Sequence, residues 1–246
     1  MSIEQYIYES KKMKKTLHMA LIDPEKQSVE DAVKIALRCK NAGTDAIMIG
    51  GSTGITTKNI DMTATAVKRA TSLPTIYFPA GPHALSTQCD AMYYMSILNS
   101  RDLNMVVRAQ AFAAPYVKKI GIEPISMGYV IVEPGMKVGK ITKADLVKRS
   151  DISAAIGYAL GAQYLGMRLI YFETGSGADK EVPHEMIKAV KEQIDIPLIV
   201  GGGIRTPEIA KAVREAGADV IVTGTLVESC SDENEIKKVI TAAKGC

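Results

Sequence analysis

Three adjacent glycines, Gly201, Gly202 and Gly203, close the apolar run Leu198-Ile199-Val200 and lead into Ile204-Arg205-Thr206-Pro207. The run follows Pro197 and reads as a buried parallel strand. Thr206 and Pro207 read as the N-cap and first residue of a helix. Residues without side chains between a strand end and a helix start let backbone N–H groups approach an anion, and the helix terminus adds partial positive charge. The chemistry on offer is phosphate binding; the same run would also serve as a tight strand-to-helix turn. A second apolar run, Asp219–Thr223, ends in Gly224-Thr225. In an eight-stranded α/β barrel the loops after the last two strands commonly build one phosphate site together.

Other strand ends carry side-chain chemistry. Asp23 and Ser52 are hard oxygen ligands suited to Mg2+, which is usually held by one or two carboxylates plus substrate phosphates. Asp23 before Pro24, and Ser52 among glycines, would equally suit turns. Glu173 directly follows Met167–Phe172 and precedes Gly175-Ser176-Gly177. A carboxylate there points to function; a charge at a helix N-terminus is the plainer alternative. Tyr171 offers a hydroxyl, or core packing with that hydroxyl satisfied. His18, His83 and His184 show no ligand spacing, and neither do the four cysteines, which suggest free thiols in a reducing cytoplasm.

The elements that must position these residues alternate. Strands are expected at Thr16–Ile22, Asp45–Ile49, Thr75–Phe78, Ala91–Ile97, Ser126–Val132 and Gly166–Phe172, followed by the two runs already described. Ser28, with Asp31 as capping-box partner, starts one helix. A polar helix ends near Thr71, and Asp102–Ile120 reads as a helix with a kink or interruption at Pro115. A long loop spans Glu133–Ser150. Ile152–Tyr164, a segment starting at Pro183, and Asp232–Ala243 complete the helices, after a short N-terminal helix and basic connector over Met1–Lys15. Little helical pattern separates the third and fourth strands. A closed barrel is favoured over an open doubly wound sheet, since no GxGxxG follows the first strand.

At 246 residues and 47% hydrophobic, the chain suits one barrel domain over 1–246 with a full core. Thirty basic against 27 acidic residues leave +3, too weak an excess for nucleic acid. Lys11, Lys12, Lys14 and Lys15 read as a solvated face, with attraction to a membrane surface the lesser reading. No apolar span calls for stable membrane insertion, and no signal peptide is seen. Twelve methionines, three phenylalanines and no tryptophan suggest a deformable interior.

Tyr171-Phe172-Glu173-Thr174-Gly175-Ser176-Gly177 resembles the Y-x-E-x-G-S-G motif of geranylgeranylglyceryl phosphate synthases. Leu21-Ile22-Asp23-Pro24, Gly50-Gly51-Ser52, Asn99-Ser100, Val132-Glu133-Pro134-Gly135, Gly201-Gly202-Gly203-Ile204-Arg205 and Thr223-Gly224-Thr225 follow that family's pattern in order. The resemblance implies an α/β fold, a modified TIM (β/α)8 barrel with one crossover helix replaced by extended chain. It implies archaeal ether-lipid synthesis: the C3 hydroxyl of sn-glycerol 1-phosphate displaces diphosphate from geranylgeranyl diphosphate. Carried over, Asp23 and Ser52 would hold Mg2+. Tyr171, Phe172, Glu173, Thr174, Gly175, Ser176, Gly177, Gly202, Gly203, Gly224 and Thr225 would bind glycerol phosphate. Glu173, with Tyr171, would act on the attacking hydroxyl. A cytoplasmic homo-oligomer, dimer or hexamer, is expected.

A prenyl cation needs apolar or aromatic walls and little water. Met92, Tyr93, Tyr94, Met95 and Phe112 would supply them, or would simply be core. Met105 stands where some members of that family carry a bulky aromatic. Two other readings compete. A sugar-phosphate isomerase or synthase barrel would share the glycine ends but should pair an acid and a base on opposite strands, and Asp23 has no evident counterpart. A non-catalytic phosphate- or flavin-binding barrel would leave Asp23, Ser52 and Glu173 without a role.

Overall fold

The computed structural model describes residues 1–51, 54–79, 81 and 84–245. Its apolar runs form strands because both their faces are buried. The strands are β1 (Leu17–Ile22), β2 (Ala46–Ile49), β3 (Thr75–Tyr77), β4 (Ala91–Ile97), β5 (Glu123–Ile131), β6 (Leu169–Glu173), β7 (Leu198–Gly201) and β8 (Val220–Thr223). All pair in parallel in chain order, and β8 closes onto β1 through Leu17↔Val220 to Ala20↔Thr223. Side chains alternate between two layers, as the strand period dictates. Met19, Met48, Tyr93, Tyr129, Tyr171 and Val222 fill the barrel. Ile22, Ile49, Ile170, Phe172, Val200 and Ile221 face outward into the layer beneath the helices.

The helices are α1 (Ile3–Lys12), α2 (Val29–Asn41), α3 (Thr57–Thr71), α4 (Ala109–Ile120), α5 (Met136–Ile141), α6 (Ile152–Tyr164), α7 (His184–Lys191), α8 (Pro207–Glu215), α9 (Thr225–Ser229) and α10 (Glu233–Lys244). Ser28 caps α2 by accepting from the Asp31 N–H at 3.1 Å, while the Asp31 carboxylate accepts from the Ser28 hydroxyl, so the expected capping box forms only in part. Thr206 caps α8, with Pro207 its first residue. The expected short N-terminal helix forms as α1 and has a role in the barrel. Its first N–H groups donate to the Glu123 carboxylate at the start of β5, and Ile3 and Ile7 join the barrel interior, so α1 closes the barrel's N-terminal end.

Between β3 and β4 the described residues form no helix, as the sequence pattern anticipates. Two expectations change. The Glu133–Ser150 loop contains α5. Pro115 does not interrupt the Asp102–Ile120 helix but lies inside α4; the interruption is a π-helical turn over Asn104–Arg108.

Candidate functional site

The strand C-termini open into a cavity of about 730 Å3. Glu173 ends β6 on the inward face, because the two-residue strand period sets it in line with Leu169 and Tyr171. It is 7% exposed. The Tyr171 hydroxyl donates to its Oε2 at 3.1 Å and the Gly175 N–H to its Oε1 at 2.6 Å. Burial pushes the Glu173 carboxyl above its ordinary range, against the pull of these donors. Burial and the Glu173 charge together hold the Tyr171 phenol well above its usual value, so it stays a donor. Tyr171 packs edge to face on Tyr129, with ring centroids 5.0 Å apart, and Phe78 covers both. Fully buried, Tyr171 positions Glu173 from behind.

Of the other residues expected at the glycerol phosphate, Ser176, Gly177, Gly224 and Thr225 line the cavity with Glu173. The Thr225 hydroxyl accepts from the Gly177 N–H at 3.1 Å and bonds the Ser176 hydroxyl at 3.1 Å, tying the β6 and β8 ends together. Arg205 donates to the Gly177 carbonyl at 2.9 Å. Gly202 and Gly203 stand behind this rim. A Cβ on Gly202 would lie 2.3 Å from both Glu173 Oε1 and Thr174 Oγ1, at a φ of +84°. Thr174 Oγ1 is buried with no partner among the described residues. Phe172 departs furthest from the expectation: its side chain points into the strand–helix layer, away from the cavity, so it offers the site no side-chain contact.

Asp23, the residue after β1, lies on the same cavity wall. Its Oδ1 accepts from the Glu25 N–H at 3.1 Å, and Gly51 leaves it room: a Cβ there would lie 2.3 Å from Oδ1. The second expected metal ligand, Ser52, lies outside the described residues. Asp23 does have charged neighbours. Glu228, on the single-turn helix α9, accepts from the Asp23 N–H at 3.0 Å. Lys26 Nζ lies 2.9 Å from Glu228 Oε2 and 3.8 Å from Asp23 Oδ2. These companions come from β1's own loop and from adjacent β8, not from opposite strands. Burial raises the Asp23 carboxyl, the Glu25 N–H and Lys26 lower it, and Glu228 and Glu25 raise it again; the sum is upward. Sequence reasoning stopped at Thr225 and missed Glu228; the short acidic turn after Gly224-Thr225 was its only trace.

No cluster of three or more His, Cys, Asp or Glu suited to a metal occurs among the described residues. Asp23, buried at the β1 end of the cavity, fits Mg2+ held largely through substrate oxygens, rather than a closed structural metal site. Away from both polar ends, Met92, Tyr93, Tyr94 and Met95 line the cavity as expected, joined by Met105, Ala113, Val138 and Ile141. Phe112 does not line it: it is 79% exposed, on the outer side of α4.

The profile of the PcrB family matches residues 9–243. The geranylgeranylglyceryl phosphate synthase of Thermococcus sibiricus is 50% identical over 236 residues, covering 96% of this chain and 92% of that one. That of Pyrococcus horikoshii is 48% identical over 242 residues, covering 98% and 95%. The crystal structure of (S)-3-O-geranylgeranylglyceryl phosphate synthase from Thermoplasma acidophilum, in complex with its substrate sn-glycerol-1-phosphate, aligns over 100% of both chains at 42% identity and a TM-score of 0.96. A thiamine phosphate pyrophosphorylase from Pyrococcus furiosus, at 15% identity and a TM-score of 0.60, shares the fold alone. Sequence and backbone agree over nearly the full length, and the chain belongs to the PcrB family.

Proposed function

We propose that the protein joins the C3 hydroxyl of sn-glycerol 1-phosphate to geranylgeranyl diphosphate, releasing diphosphate and forming geranylgeranylglyceryl phosphate, the first ether bond of archaeal membrane lipids. One observation carries this reading. The Glu173 carboxylate is fixed on a cavity that has a glycine-and-hydroxyl rim at β6 and β8, a charged corner at Asp23, and an apolar wall between Met92 and Ile141. These are places for a phosphate, a diphosphate and a prenyl chain, around a base. The Thermoplasma acidophilum relative with bound sn-glycerol-1-phosphate supports the acceptor.

In the reaction the allylic C–O bond breaks and its electron pair leaves with the diphosphate. The acceptor oxygen forms the new C–O bond, and its proton passes to Glu173. Burial keeps Glu173 more basic than an ordinary carboxylate, while Tyr171 and Gly175 hold it in place. Phe78, Tyr93 and Tyr129 give the developing cation aromatic faces and exclude water. Mg2+, held by Asp23 with Ser52 as its second ligand, would supply neutralisation of the diphosphate charge. Exposed Phe112, Tyr164 and Leu165 support a homo-oligomer, dimer or hexamer. The unpaired thiols Cys39, Cys89 and Cys230 support a reducing, cytoplasmic setting. Among the described residues no helix is long and apolar enough to cross a membrane.

The test mixes the protein with sn-glycerol 1-phosphate, a series of prenyl diphosphates and Mg2+. Diphosphate release with a product of the mass of geranylgeranylglyceryl phosphate is expected. Intact substrates, or diphosphate release that does not need the acceptor, would refute the reading.

A further inference from the structure

The charged corner contains a cation of its own. Lys26 and Lys137 are the two cationic side chains lining the cavity among the described residues, and only Lys26 lies at the Asp23 end. Its two contacts are unequal, 2.9 Å to Glu228 and 3.8 Å to Asp23. Glu228 is fixed independently, by the Asp23 N–H at 3.0 Å and by Gln27 Nε2 at 3.5 Å. The side chains of Asp23 and Glu228 are 10% and 11% exposed, whereas that of Lys26 is 50% exposed. Two sheltered carboxylates therefore hold a half-exposed ammonium at the edge of the cavity. Asp23 and Glu228 against Lys26 leave a formal charge of −1. Such a corner repels a bare diphosphate, and without Lys26 it would do so more strongly.

We propose that Lys26 is a catalytic residue that binds the diphosphate of the prenyl substrate, with Glu228 as the positioning residue that presents it. The proposal rests on the prenyl-transfer reading above. The long contact to Asp23 is the one given up, and the short bond to Glu228 keeps the ammonium near the corner. As the allylic C–O bond breaks, its electron pair moves onto the diphosphate, and Lys26 N–H donors meet that charge where it develops. A lysine suits this role because it is a compact charge on a flexible stem with three donors. The competing role is purely structural, an ion pair that ties the Asp23 loop to α9.

Calorimetry with inorganic diphosphate and Mg2+ tests the proposal on wild type, Lys26→Met, Lys26→Arg and Glu228→Gln, beside kcat and both KM values. Lys26→Met should weaken diphosphate binding by about tenfold or more and lower kcat by roughly 10²-fold, the scale of one lost transition-state donor. Lys26→Arg should recover most of both, and Glu228→Gln should fall between. The KM for glycerol phosphate should hold in all of them. A folded Lys26→Met variant with wild-type diphosphate affinity and kcat would overturn the proposal. So would a Lys26→Arg variant as impaired as Lys26→Met. If wild type binds diphosphate but transfers no prenyl group, the prenyl-transfer reading fails instead, and the binding arm still reports on Lys26.

Discussion

The two polar ends of the cavity are built from different materials. At β6 and β8 the groups are backbone amides and hydroxyls, cross-tied through Thr225, Ser176, Gly177 and Arg205. At β1 they are charged side chains, Asp23, Lys26 and Glu228, which neutralise one another in part. Amides fixed by the fold lose no side-chain entropy on binding and carry no net charge. They suit a group that stays put, and in the proposed reaction the glycerol phosphate keeps its phosphate throughout. A half-exposed ammonium held between fixed carboxylates can turn toward a ligand as it arrives, and suits a group that must leave with a growing charge.

The sharpest break comes from Glu173, which belongs to neither end. Glu173→Gln keeps the shape and loses the basicity. Turnover should fall about 10²–10⁴-fold, the usual worth of general-base help, with a smaller change in glycerol phosphate affinity. Steady-state kinetics at saturating substrate decide it. A loss of affinity with turnover preserved would move Glu173 into the rigid end as a binding group.

Next comes Asp23→Asn. Turnover should fall by about 10²–10³-fold, with a weaker Mg2+ dependence, because a charge at the adjustable end is gone. Calorimetric binding of glycerol phosphate should survive. The reverse pattern, lost glycerol phosphate binding with normal Mg2+ dependence, would erase the distinction between the two ends.

Within the rigid end, Gly202 and Gly224 should part company. A side chain at Gly202 collides with Glu173 and Thr174 and must adopt a positive φ, so Gly202→Val should cost roughly 1–3 kcal/mol of stability and raise the KM for glycerol phosphate. At Gly224 an added Cβ would find its nearest neighbour, Leu21, at 3.7 Å. Gly224→Ala should keep wild-type thermal stability, so a raised KM there would report contact with the ligand itself. Equal loss of stability in both variants would count against this division.

The smallest effect on turnover is expected at His18, below the rigid end. Its ring bonds Thr44 Oγ1 at 2.7 Å and Thr223 Oγ1 at 2.9 Å, and burial pushes its pKa from 6.5 down to about 3. Between those values the unfolded chain takes up a proton that the folded chain refuses. The His18 contribution to stability is therefore complete above pH 6.5 and is lost as the pH falls towards 3. Glu173 and Asp23, shifted upward, act in the opposite sense: the folded state takes up their protons first on acidification. The Tm difference between wild type and His18→Gln should shrink as the pH falls through that range; parallel curves would contradict it.

Local interactions wrote much of this protein into its sequence. Strand runs, the Ser28 and Thr206 caps, the glycine-bearing strand ends and Glu173 after its strand all depend on neighbours a few residues away. The missing helix before β4 was visible for the same reason. The partners of these residues were decided only by barrel closure. Glu228 meets Asp23 across 205 positions because β8 pairs with β1, and Tyr129 reaches Tyr171 because β5 lies beside β6. The direction of α4 was also beyond a pattern. In an uninterrupted helix Met105 and Phe112, seven residues apart, would share a face. The π-helical turn over Asn104–Arg108 adds a residue per turn and breaks that phase, so Met105 lines the cavity while Phe112 faces out.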